Sequence, residues 1–157
     1  MNDSAEVVDL ELQIASESES LPEASEFIRW IDAALPTHQQ PTEIVIRIVD
    51  EQEGTELNQT YRNKRGATNV LSFPFDAPPQ VSMNLLGDLV ICAPVIAREA
   101  DEQSKPLDAH WAHMTVHGVL HLIGYDHQTE EQAKEMESLE KTVLTSLGYE
   151  NPYKDDV

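Results

Sequence analysis

The eleven residues from His117 to His127, His-Gly-Val-Leu-His-Leu-Ile-Gly-Tyr-Asp-His, put imidazoles at i, i+4 and i+10 and a glycine at i+7 inside an apolar run. Residues four apart share one face of an α-helix, so His117 and His121 can aim their rings at a common point. Gly124 suits the left-handed turn that stops a helix, after which a reversing chain can bring His127 back to that point. Three nitrogen ligands with a fourth position open are the arrangement of a catalytic zinc site, whereas structural zinc is closed by four ligands and rich in thiolate. Cys92 is the only cysteine, which excludes a Cys-based structural centre. The pattern predicts a helix ended at Gly124 and a metal held by His117, His121 and His127.

Two further histidines, His110 and His113, lie upstream, and His113 shares the face of His117 and His121. A run at i, i+4 and i+8 spans about 12 Å of helix, too far for three rings to reach one ion at about 2.1 Å. His110 and His113 are therefore expected behind the ligands, facing substrate, or in the framework. The spacing also matches the zinc-protease pattern H-E-x-x-H-x-x-G-x-x-H, except that Gly118 stands where the protease has its glutamate. That glutamate moves protons between water and the leaving amine, so efficient peptide hydrolysis is not expected here. A metal at this site would still polarise a substrate oxygen, which points to a hydrolase of something other than peptides.

At 157 residues and 40% hydrophobic, the chain is expected to be one domain over residues 1–157, with apolar surface for a single core. It has no 18-residue apolar run and no charged-apolar-small pattern at its N-terminus, so it is expected to be soluble and not exported by that route, and its lone cysteine suits a reducing cytoplasm. The formal net charge is −19, from 29 acidic and 10 basic residues. Such a balance argues against tight, nonspecific binding to polyanions. The acid is uneven, however, being dense in the first 26 residues and after Thr129, while Arg62, Lys64 and Arg65 form the one tight basic cluster. By composition alone that cluster reads as a solvated turn after a helix; local field can still differ from net charge.

Along the chain, Val7 to Ala15 alternates like a half-buried strand. Leu21 to Leu35 has helical spacing and is closed by Pro36. Glu43 to Val49 is a second strand, and Asp50 can cap a helix running to about Arg62. Thr68 to Phe75 reads as a strand that Pro74 assigns to an edge or an irregular end. A loop from Ala77 to Asn84 leads to a strand from Leu85 to Cys92. Pro94 opens a helix to about Gln103, Asp108 starts the histidine helix, and Thr129-Glu-Glu-Gln132 has the form of a capping box for a last helix to Gly148. The predicted class is α+β: a single mixed sheet of about four strands with about five helices packed on it, the metal on a zincin-like helix. The acidic segment of about residues 1–9 reads as a flexible flank.

The histidine motif, the upstream Thr68-Asn-Val-Leu-Ser-Phe-Pro-Phe75, Gly87-Asp-Leu-Val-Ile91 and the closing Leu147-Gly-Tyr-Glu-Asn-Pro-Tyr153 together resemble the bacterial YbeY family. These are metal-dependent endoribonucleases of ribosomal RNA maturation, and the resemblance runs from about Leu10 to Tyr153. It implies one zinc ion per chain on His117, His121 and His127, and places Arg62 at the family's Tyr-Arg position in catalysis or RNA binding. The implied role is cleavage of single-stranded RNA in 16S rRNA 3′-end maturation and ribosome quality control, in the cytoplasm. Implied partners are ribosomal RNA, the ribosome or small-subunit proteins, and a ribosome-assembly GTPase. No general base is evident in these motifs, which leaves a metal-activated water or the RNA 2′-hydroxyl as nucleophile. Asp126 is a candidate to orient a ligand histidine, and Asp88 and Ser72 are candidates to line the cleft. The competing reading is a zinc-binding ribosome assembly factor without turnover.

Overall fold

The computed structural model describes residues 8–35, 42–62, 68–74, 85–126 and 128–153, without the side chain of Arg62. The elements run β1 (Val8–Ala15), α1 (Ala24–Ala34), β2 (Thr42–Val49), α2 (Glu51–Arg62), β3 (Val70–Pro74), β4 (Leu85–Cys92), α3 (Ala93–Glu102), α4 (Leu107–Leu122) and α5 (Glu130–Ser146). The four strands form one sheet in the order β1-β2-β4-β3, with β1, β2 and β4 parallel and β3 antiparallel to β4. Among the described residues the fold is thus the α+β arrangement of one mixed sheet and five helices. Among the described residues no helix is long and apolar enough to cross a membrane.

Strand β2 explains where the core forms. Its Ile44, Ile46 and Ile48 alternate onto one face and are at most 1% exposed, each burial contributing roughly 1.5–3 kcal/mol. Leu89 and Ile91 of β4 and Val70 of β3 extend that face, on which α1 and α4 pack. Phe27 joins the two helices, meeting Trp30 edge-on at 5.4 Å and Trp111 at 5.9 Å between ring centroids. From His110 to Val116 every residue of α4 is buried, as expected of a helix apolar nearly all round. A smaller cluster of Val49, Cys92 and Val95 lies apart from the main core.

Local signals set most boundaries. Pro74 ends β3, which lies on the sheet's edge, where a missing N–H is tolerated. Thr129 and Gln132 make the reciprocal capping box that opens α5. Helix α1 begins at Ala24 rather than Leu21, because Glu23 and Glu26 form a capping box there. The Asp50 carboxylate accepts hydrogen bonds from Ser16 Oγ and Glu17 N, tying the ends of β1 and β2 together. Val7, Pro36, Phe75 and the 77–84 loop lie outside the described residues.

Two glycines let α4 sit close on the sheet. A Cβ at Gly118 would fall 2.8 Å from Leu89 Cδ2 and 3.3 Å from Val70 Cγ2, so this residue is a contact point between helix and strands. Gly87 follows a register slip in β4 and has φ +147°, and a Cβ there would come 2.4 Å from the Phe73 carbonyl and 2.9 Å from Leu122. Backbone cannot yield as a side-chain end can. Gly87→Ala is expected to destabilise the protein by about 2–4 kcal/mol, from backbone strain and overpacking together. Urea denaturation measures it, and an unchanged midpoint would refute the close packing.

Candidate metal centre

Helix α4 sets out His113, His117 and His121 at four-residue intervals along one face. The rings of His117 and His121 stand edge-on, centroids 4.6 Å apart and planes at 81°. Both line a cleft of about 550 Å³ bounded by the start of β3, with Asn69, Ser72, Tyr125 and Asp126 on its walls. The helix stops as its glycine predicts: Gly124 has φ +111°, and Tyr125 N donates to Leu120 O at 3.0 Å. His127 lies outside the described residues, but Asp126 and Gln128 on either side of it both line the cleft. Among the described residues no three His, Cys, Asp or Glu side chains are arranged to hold a metal ion. Arg62 closes α2, with its side chain outside the described residues, as are Lys64 and Arg65.

His110 and His113 are 2% and 7% exposed and sit behind the cleft in a chain of polar contacts. Lys105 Nζ lies 3.2 Å from the Nδ1 atoms of both. An ammonium only donates, so both Nδ1 atoms accept and both rings carry their proton on Nε2. His110 Nε2 then donates to Glu99 Oε1 at 2.9 Å, and His113 Nε2 to Glu140 Oε1 at 2.7 Å. Burial is the main reason both imidazoles are harder to protonate than usual, against the opposing pull of Glu99 and Glu140. Burial likewise lowers the pKa of Lys105.

Glu140, 1% exposed, is the hub. Its Oε1 also accepts from Tyr153 Oη at 2.5 Å, and its Oε2 lies 2.7 Å from His117 Nδ1. Burial alone would raise its pKa, but the hydrogen bonds from His113 and His117 outweigh it and pull the carboxyl down to about 2. At the other end of the chain of contacts, Asn69 Nδ2 donates to Glu99 at 3.1 Å, so the network leaves the cleft at His117 and returns to it at Asn69.

Ser72 lines the cleft as expected, its Oγ donating to Gly118 O at 3.4 Å. Asp88 does not. Gly87 and Leu89 face α4, so strand alternation sends Asp88 to the opposite face, where it is exposed and paired in register with Phe73. Asp126 lies on the cleft wall. Sequence reasoning missed Glu140, Glu99, Lys105 and Tyr153. One signal was available: Met136, Glu140 and Leu144 recur at four-residue spacing, an acid set into the apolar stripe of α5.

A mixed-sheet protein whose buried histidine helix opens onto a cleft is the class these observations define. The family model described as Endoribonuclease YbeY matches residues 11–148, and the chain belongs to that family. Membership implies an endoribonuclease role in rRNA maturation. The solution structure of TM1509 from Thermotoga maritima is similar at 21% identity, covering 87% of this chain and 91% of that one, with a TM-score of 0.49.

Proposed function

We propose that the chain, as one domain, is a single-strand-specific, zinc-dependent endoribonuclease of 16S rRNA 3′-end maturation and ribosome quality control in the cytoplasm. His117, His121 and His127 hold one zinc ion and Arg62 binds a phosphate. The observation that carries this reading is the edge-on pair of imidazoles on a cleft whose wall includes both sequence neighbours of His127. The donor set suits zinc: imidazole nitrogens without thiolate, one ring already tied by a carboxylate.

When bound, zinc polarises a phosphoryl oxygen and helps activate a nucleophile. The chain's own residues do the rest. His117 and His121, fixed on a buried helix, hold their donors in place without reorganisation. Arg62 pairs with a phosphate through two parallel hydrogen bonds, a geometry that lysine does not reproduce. The β3 segment around Asn69 and Ser72 walls the cleft beside a strand of RNA. With a net charge of −19 the protein has weak affinity for free RNA, so docking on the ribosome, through small-subunit proteins or an assembly GTPase, supplies the specificity.

The test compares wild type with Arg62→Ala and Arg62→Lys on single-stranded rRNA. Arg62→Ala is expected to lower kcat by about 10²–10³-fold with zinc content unchanged, and Arg62→Lys to leave most of that loss in place. Zinc-loaded protein showing no cleavage that depends on Arg62 would instead favour a non-catalytic zinc-binding assembly factor.

A further inference from the structure

Glu140 is a charged side chain at a position where α5 otherwise buries Met136 and Leu144. Burying a carboxylate is costly unless its oxygens are fully satisfied. Here they are satisfied unevenly. Oε1 takes two protons, from His113 Nε2 and Tyr153 Oη, while Oε2 faces His117 Nδ1. An ionised carboxylate only accepts, so His117 must carry its proton on Nδ1, which puts the lone pair of that ring on Nε2. His113 is held the opposite way, since Lys105 occupies its Nδ1. One carboxylate thus faces two histidines, one turn apart on α4, in opposite tautomers.

From this geometry we propose that Glu140 is a positioning residue for the metal centre: it locks the orientation and Nδ1–H tautomer of His117, presenting Nε2 to the ion. This inference rests on the three-histidine reading above. Tyr153 and His113 hold the carboxylate in turn, so residues 149–153, anchored by Tyr149 accepting from Trp30 Nε1 at 3.1 Å, become part of the support of the site. In Glu140→Gln the carboxamide can direct its oxygen at His113 and Tyr153 only by turning its NH₂ on His117. That NH₂ donates to Nδ1 and drives the ring proton onto Nε2, the nitrogen needed by zinc.

The experiment uses the full chain. Long-range ¹⁵N–¹H NMR of the zinc-free protein reads both tautomers, titration with zinc ion against a chelator gives affinity, and thermal melts of the zinc-free proteins report folding. Wild type is expected to show His117 as Nδ1–H and His113 as Nε2–H. Glu140→Gln is expected to switch His117 to Nε2–H and to weaken zinc binding by about 10–100-fold. A purely structural glutamate would lower the melting temperature while leaving tautomer and affinity alone, which overturns the proposal. Wild-type His117 found as Nε2–H overturns it too, and that measurement needs no variant to fold. Wild type that binds no zinc overturns the three-histidine reading and the role of Glu140 with it. Wild type and Glu140→Gln binding zinc equally overturn the positioning role alone.

Discussion

His121→Ala is expected to strip zinc from the protein and to cut rRNA cleavage by about 10³-fold or more. The magnitude follows from the several kcal/mol of charge stabilisation that a metal supplies, at about 1.4 kcal/mol per tenfold. Of the proposed ligands His121 is the cleaner to remove, because His117 is also bonded to the buried Glu140 and its loss would strand that carboxylate. The ring of His121 lies on the cleft wall and is only partly buried, so its truncation creates little cavity in the core. Elemental analysis, a cleavage assay and a melt in the presence of chelator would be run together. A variant that retains one zinc per chain would remove His121 from the ligand set, whatever its activity.

Acidification is expected to destabilise the zinc-free protein well above the usual carboxylate range. His110 and His113 have folded pKa values below the ordinary 6.5, chiefly through burial, so the native state holds them neutral while the unfolded chain binds protons. The stability they contribute is present above about 6.5 and is lost as pH falls below it toward their folded values. Each such group gives a slope of at most about 1.4 kcal/mol per pH unit, hence at most about 3 kcal/mol per unit for both. Every group facing them enters this balance. Lys105 touches both Nδ1 atoms and opposes a second positive charge, as His113 does for His110 and His117 does for His113, whereas Glu99, Glu140 and Tyr153 sit at the Nε2 side. Relief of the −19 net charge acts the other way, but most carboxylates titrate below pH 5, so the histidines dominate between 7.5 and 5.5. Urea midpoints at pH 7.5, 6.5 and 5.5 measure the effect. A flat series would mean that the buried network tolerates charge on its imidazoles.

The elements of the fold were legible because their signals are local. Alternation in β2, the capping residues Thr129 and Gln132 and the helix-ending Gly124 each act within a few residues. Sheet order was not legible, since pairing β2 with β4 across α2 and β3 depends on contacts distant in sequence. The candidate site divides the same way. His117 and His121 announce themselves because one helical turn separates them, and Ser72 because it lies in a short strand motif. Asp88 misled, because a strand sends adjacent residues to opposite faces and the inward face was fixed by Gly87 and Leu89 meeting α4. Glu140 and Tyr153 lie 23 and 36 residues beyond His117, and only the packing of α5 and the closing segment onto α4 brings them to it.

The seat of α4 on the sheet also bears on how this fold stands to the zinc proteases whose histidine spacing it shares. The protease glutamate would occupy position 118, where even a Cβ meets Leu89 and Val70. A carboxylate there would be pressed into the apolar layer without a partner, at a cost of several kcal/mol, rather than being presented to solvent beside the histidines. The single codon change that completes the protease motif on paper would therefore strain the seat of the helix that carries the motif. In mutational terms the two motifs are separated by the space between helix and sheet at this one position.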